Sequence, residues 1–141
     1  MPTQRKPGAG SIDVTSDART NGIRVTVRSA YLPERSSPPN DRYFFTYSIR
    51  IANEGDVTAQ LVSREWVITD AHGHVEVVQG DGVVGEQPVL DPGDAFEYQS
   101  FCPLSTPTGS MEGKYLMVTA AGERFEARIA PFALAALHTV N

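Results

Sequence analysis

Apolar residues recur at every second position through most of this chain, in short runs separated by turn-forming residues. In Gly22 to Arg28, Ile23, Val25 and Val27 fall on one side and Arg24, Thr26 and Arg28 on the other. That alternation is the signature of a half-buried strand. Arg42 to Asn53 repeats it, with Tyr43, Phe45, Tyr47, Ile49 and Ile51 on one face. Aromatic and β-branched residues gathered on a single face suit a sheet packed on one side. Val57 to Thr69 predicts a third strand, in which Val62, Arg64, Trp66 and Ile68 share a parity and are assigned inward. Asp70-Ala71-His72-Gly73 then predicts a turn closing a hairpin with His74 to Val78. Ala95 to Phe101, Lys114 to Ala120 and Arg124 to Ile129 complete the strands, with Ala121-Gly122 as a tight turn between the last two. Leu32 to Arg42 holds Pro33, Pro38, Pro39, Asn40 and Asp41, which is loop chemistry.

No stretch before residue 132 has apolar spacing of three and four, and Phe132 to Leu137 predicts one or two helical turns. About seven short strands, with turns every 8–12 residues and a tryptophan in a central strand, define an all-β fold class. The expectation is an immunoglobulin/fibronectin-type-III-like β-sandwich of about seven to nine antiparallel strands. Residues 11–135 form the domain, with a flexible N-terminal tail at 1–10 and a C-terminal tail at 136–141.

Composition narrows the function. The chain has 141 residues, enough for one domain with a real core. A net charge of −5 argues against non-specific nucleic-acid or membrane binding, which runs on clustered Lys and Arg. Arg5-Lys6 is too small a cluster to dock a phosphate backbone, and no apolar core follows it as a secretory signal would require. No run approaches the roughly 20 apolar residues of a membrane helix. A lone cysteine, Cys102, excludes an intramolecular disulfide and fits a reducing, cytoplasmic compartment. Flanked by Phe101 and Pro103, with no cation nearby in sequence, that thiol is expected to be buried and inert.

Three groups of residues invite a chemical reading. Gly80, Gly82 and Gly85 spell G-x-G-x-x-G, yet Glu86-Gln87-Pro88 follows, so no helix N-terminus is available to hold pyrophosphate. Asp81 and Glu86 would also repel it, which leaves a glycine-rich sheet-edge loop as the favoured reading. Asp70, His72, His74 and Glu76 alternate as metal ligands might, but a turn interrupts them and makes them weak candidates. Arg64 on an inward face requires a carboxylate or several carbonyls around it, or else lies at the sheet rim and snorkels to water. In the first case Ser63, Arg64 and Trp66 would line a groove between the sheets. Phe44, Leu116 and Val118 point away from their core-facing neighbours. Either a crossover loop covers them or they mark a partner surface.

Four ordered segments carry a family resemblance. Tyr43 to Asn53 resembles Y-x-F-x-Y-x-I-x-I-x-N, and Leu61 to Ala71 resembles L-x-S-R-x-W-I-I-T-D-A. Gly80 to Pro88 reads G-x-G-V-V-G-E-Q-P, and Thr106 to Tyr115 reads T-P-x-G-x-M-x-G-x-Y. Together they resemble the ApaG family over roughly residues 12–135. Glu65 stands where the family often has histidine, and Cys102-Pro103 where small residues are common. The resemblance implies a fibronectin-type-III-like sandwich and an association with cobalt and magnesium physiology. For related domains it implies protein binding.

No nucleophile, base and orienter come together by spacing. The expectation is therefore a non-catalytic, cofactor-free module that binds a protein partner, with a homodimer also open. A binder of metal ions or (di)nucleotide polyphosphates is the first alternative. An unrecognised hydrolase, built from residues distant in sequence, is the second.

Overall fold

The computed structural model describes residues 15–136. The expected sandwich is there, as nine strands in two antiparallel sheets with no α-helix among the described residues. The first sheet holds β1 (Ser16–Thr20), β2 (Ile23–Tyr31), β3 (Tyr43–Asn53) and β7 (Ala95–Leu104), in that order. The second has the order β5 (Val75–Asp81), β4 (Ala59–Asp70), β8 (Thr108–Thr119) and β9 (Arg124–Ala135). A two-residue strand, β6 (Val89–Leu90), pairs with β4.

The alternation decides which residues meet in the middle. Ile23, Val25 and Val27 of β2 and Phe45, Tyr47, Ile49 and Ile51 of β3 are all buried. Leu61, Trp66, Tyr115, Met117, Ala127 and Ile129 face them from the second sheet. Trp66 stands edge-on to Tyr47 (centroids 5.3 Å apart) and to Phe132 (6.0 Å).

That last contact corrects an expectation. Phe132 to Leu137 is not helical over its described part; β9 continues to Ala135, paired with Thr108 of β8. Phe132 and Leu134 are buried and Ala133 and Ala135 exposed, so alternation resumes after a register shift between Ile129 and Phe132 that moves the buried positions from odd to even numbers. Pairing with β8 satisfies the backbone there, which a short isolated helical turn could not match. Leu137 and the tail residues after it lie outside the described residues, as does the expected lead-in at 1–10.

The inward parity assigned to β4 also fails at one point. The β4–β8 register shifts between Leu61 and Ser63, so Val62 is bulged. A bulge adds one residue and flips the face of everything beyond it. Leu61 and Trp66 therefore both point into the core although their numbers differ in parity, while Val62 is half-exposed.

The alternation also misses β1, whose sequence SDART carries no apolar stripe. It is held instead by its ladder to β2 and by Arg24, which donates to Asp17 at 2.9 and 2.6 Å. The Leu32–Arg42 loop contains two single 3-10 turns, Pro33–Arg35 and Pro38–Asn40. It covers Phe44, because the Arg35 guanidinium lies 4.7 Å from the Phe44 ring centroid and 5.7 Å from that of Phe101.

The two lateral sides of the sandwich differ. On one, β9 packs along β1 and β2, and Arg128 donates its N–H to the Thr20 hydroxyl. On the other, β5 and β7 are the terminal strands of their sheets and, among the described residues, pair only with β4 and β3 respectively.

Candidate functional site: the β5 edge and its glycine loop

Strand β4 delivers Ser63, Arg64, Glu65 and Trp66 to the middle of the second sheet. Trp66 is buried in the aromatic core and presents no groove surface. Ser63 and Glu65 point to the opposite, outer face. There Glu65, Gln79, Lys114, Leu116 and Glu126 border a depression of about 470 Å³. Its charges satisfy one another: Gln79 donates to Glu65 at 2.6 Å, and Lys114 lies 3.2 Å from Glu126 and 3.9 Å from Glu65. Of the three residues expected to line a groove, Ser63 and Arg64 also border this depression, whereas Trp66 is buried in the core and does not.

Arg64 goes inward with Trp66 but does not reach the core. Its Cα partners are Tyr115 on β8 and Gly80 on β5. The side chain turns toward β5, where Nη1 donates to the carbonyls of Asp81 and Gly82, both at 2.9 Å. Two carbonyls therefore hold it, as one of the sequence alternatives required, while the half-buried position keeps part of the guanidinium in reach of solvent. It makes no ion pair with a carboxylate among the described residues.

Nearby, the Tyr98 and Tyr115 hydroxyls lie 2.5 Å apart. Burial raises both above the ordinary tyrosine value, and the Arg64 charge opposes that rise, so both hydroxyls stay protonated at physiological pH and either can donate to the other.

Gly80 is what allows this arrangement. A Cβ there would sit 2.9 Å from Nη1 and Nη2 and 3.0 Å from Cζ of Arg64. The guanidinium therefore lies directly over the Gly80 backbone, one strand outward from the Arg64 main chain. Gly82 is a glycine for another reason. Its φ is +63°, its N–H donates to the Val62 carbonyl at 2.8 Å, and a Cβ would collide with the Glu86 carbonyl. Gly85, at φ +82°, closes a two-residue turn in which Val83 and Glu86 exchange two backbone hydrogen bonds of 2.8 Å. The turn carries Val84 outward at φ +42°, a backbone region that β-branched residues rarely adopt. Each glycine is accounted for by chain geometry, and the segment after Gly85 is turn and β6 rather than helix.

Asp70, His72 and His74 come together as a capped turn. Asp70 Oδ1 accepts from the N–H groups of His72 (2.8 Å) and His74 (3.0 Å), and its other oxygen lies 3.3 Å from His74 Nδ1. Desolvation pushes the Asp70 carboxyl up, but those N–H donors and the His74 ring outweigh it and hold the value below the ordinary one. Both imidazoles are exposed, and the described residues contain no group of three His, Cys, Asp or Glu side chains arranged to hold a metal ion. Cys102 is on β7 with its side chain buried, where burial pushes its thiol up to about 11, with the Glu76 charge adding to the rise. A thiol held protonated at neutral pH is a poor nucleophile.

What the sequence missed is the distribution of exposed apolar side chains. Six large ones are exposed among the described residues: Val57, Val75, Val77, Val84, Val89 and Phe101. Four of these six follow one line, along β5, its loop and β6. Val75 (60%), Val77 (55%), Val84 (57%) and Val89 (56%) each leave more than half of their surface in water. The backbone along that line is also free. The His74 carbonyl accepts from Asp70 and the Gly82 N–H donates to Val62, so even-numbered β5 positions address β4. By alternation, Val75, Val77 and Gln79 turn their N–H and C=O groups to the open side. The signal in the sequence was V-E-V-V-Q, a strand segment with neither Lys nor Pro to blunt its edge.

Fold and site together define an antiparallel β-sandwich, nine strands among the described residues, with β5 and β7 ending their sheets on one side. A family model for the ApaG domain matches residues 33–119, and the chain belongs to that family. It is 59% identical over 126 residues to Protein ApaG of Anaeromyxobacter sp. (strain K), spanning 89% of this chain and 99% of that one. Protein ApaG of Methylobacterium radiotolerans is 54% identical over 86% of this chain and 93% of its own length. Among solved structures, the putative ApaA protein from Bordetella pertussis superposes with a TM-score of 0.81 at 46% identity, over 90% of this chain and all of that one. The C-terminal domain of wzt superposes at 0.52 with 10% identity, over 89% of this chain and 80% of that one, a likeness of fold alone.

Proposed function

We propose that this domain is a non-catalytic binding module that takes up an extended segment of a protein partner as an extra strand beside β5. The observation that carries this reading is the run of exposed valines along a strand whose outer backbone groups meet no partner strand among the described residues. Strand addition uses both features at once: main-chain hydrogen bonds supply affinity, and alternate side chains supply specificity. The other edges are less suited. β1 is flanked by β9, and β7 carries the donor-less Pro103.

Proline at position 79 tests the reading. Gln79 turns its N–H to the open side, so Gln79→Pro deletes a donor an incoming strand needs while sparing the β4 ladder. Proteins captured from an extract by the native domain and by Gln79→Pro are to be compared quantitatively, with Glu97→Lys on β7 as control. The expected result is a partner retained by the native domain and the control and lost with Gln79→Pro. Identical capture by all three would refute strand addition at β5.

A further inference from the structure

The position of Arg64 specifies the chemistry of the strand that β5 would accept, an inference that rests on the binding reading above. Across the second sheet, Ala127, Tyr115, Arg64 and Gly80 form one row of paired positions. The row ends at Gly80, the only member without a side chain, and the Arg64 guanidinium occupies the space that a side chain there would fill. The charge has thus moved one inter-strand spacing toward the open edge. Only Nη1 is engaged, with the Asp81 and Gly82 carbonyls. Nε and Nη2 have no hydrogen-bond acceptor and no carboxylate among the described residues, in a chain with 17 acidic residues against 12 basic ones. Glu76, the β5 carboxylate on the same side of the strand, is four residues away, roughly 13 Å along an extended chain.

We infer that the added strand carries an aspartate or glutamate directly opposite Gly80, and that its carboxylate pairs with Arg64. The backbone phase favours this position. Gly80 addresses β4, so the residue facing it across the open edge belongs to a non-hydrogen-bonded pair, in which Cα atoms approach to about 4.5 Å and side chains lie closest. A carboxylate there meets the unused guanidinium donors one strand spacing (about 4.8 Å) beyond Gly80. Arg–carboxylate pairing is directional and often two-pronged, so it fixes register as well as sign. The exposed valines then supply apolar contact, and the Arg64 row aligns the segment.

The test is selection of a phage-displayed random peptide library on the immobilised full-length domain, followed by synthesis of the enriched peptides. Expected are peptides that lose binding to Gln79→Pro and share one position restricted to Asp or Glu. Replacing that residue by Asn or Gln in the peptide should weaken binding to the native domain at least about tenfold, with no change to the domain. The same replacement should cost little against Arg64→Gln. Peptides that depend on β5 but show no acidic position, or whose acidic preference persists in Arg64→Gln, overturn this inference and leave strand addition standing. An empty selection, or peptides indifferent to Gln79→Pro, overturns both.

Discussion

If the three glycines of the G-x-G-x-x-G segment serve chain geometry, their alanine variants should differ in cost in an order set by each environment. At Gly85 the φ is +82° and an added methyl meets nothing within 4 Å, so Gly85→Ala costs only the strain of a left-handed residue, about 1 kcal/mol. Gly82→Ala adds to a similar strain a collision with the Glu86 carbonyl, which is backbone and cannot swing away. The turn must open, and the two Val83–Glu86 hydrogen bonds, each worth about 0.5–1.5 kcal/mol, are at risk. The sum is about 2–4 kcal/mol.

Gly80 is extended, and its methyl would meet only the end of a flexible arginine. The guanidinium moves and loses its two carbonyls, while the strand gains about 0.5 kcal/mol from replacing glycine. Gly80→Ala should therefore lie within about 1 kcal/mol of the native domain. The decisive comparison is the cycle with Arg64→Ala, in whose background Gly80→Ala should become neutral or stabilising, a coupling of about 1 kcal/mol. Urea denaturation of the five variants (three single glycine replacements, Arg64→Ala, and the Gly80/Arg64 pair) reads all of this through midpoints at constant m. The reasoning is refuted if Gly82→Ala is no more costly than Gly85→Ala, or if the Gly80 and Arg64 replacements are additive.

Two further outcomes follow from the fold. Phe132→Ala should cost about 3–5 kcal/mol in urea denaturation, because Phe132 is buried against Tyr47 and Trp66; a loss under about 1 kcal/mol would show that this segment is peripheral. Asp70 has a folded pKa below its unfolded value near 3.9, so its contribution is complete above that value and fades as pH falls through the lower folded one. Stability measured from pH 6 down to pH 2 should therefore fall more gently below about pH 4 in Asp70→Asn than in the native domain, and parallel curves would contradict the assignment.

Sequence and tertiary structure divide the explanation along physical lines. Period-two patterning is local, and where one face of a strand is buried and the other wet it is fully written in the residues. That is why β2 and β3 and the two-sheet architecture were legible from Ile23, Val25 and Val27 and from Phe45, Tyr47, Ile49 and Ile51. The same logic rejected a Rossmann-type reading of Gly80 to Gly85, because the following proline leaves no helix. Features that depend on a partner strand were not legible. Strand β1 lacks an apolar stripe and exists because β2 offers it a ladder. The parity of β4 flips at Val62 because a bulge is a mismatch between two strands, and neither strand alone records it. β9 runs on through Phe132 because β8 is there to pair with it.

The candidate site shows the same division. Sequence placed Arg64 on an inward face and required a carboxylate or several carbonyls around it, or else a rim position open to water, without saying which groups would hold it. Only the register, by setting Gly80 beside Arg64 and leaving β5 without an outer neighbour among the described residues, carried the charge to the sheet edge. Side-chain period is a property of one strand, whereas pairing, register and edge exposure are properties of several, and it is the latter that put Arg64 and the exposed valines at the β5 edge.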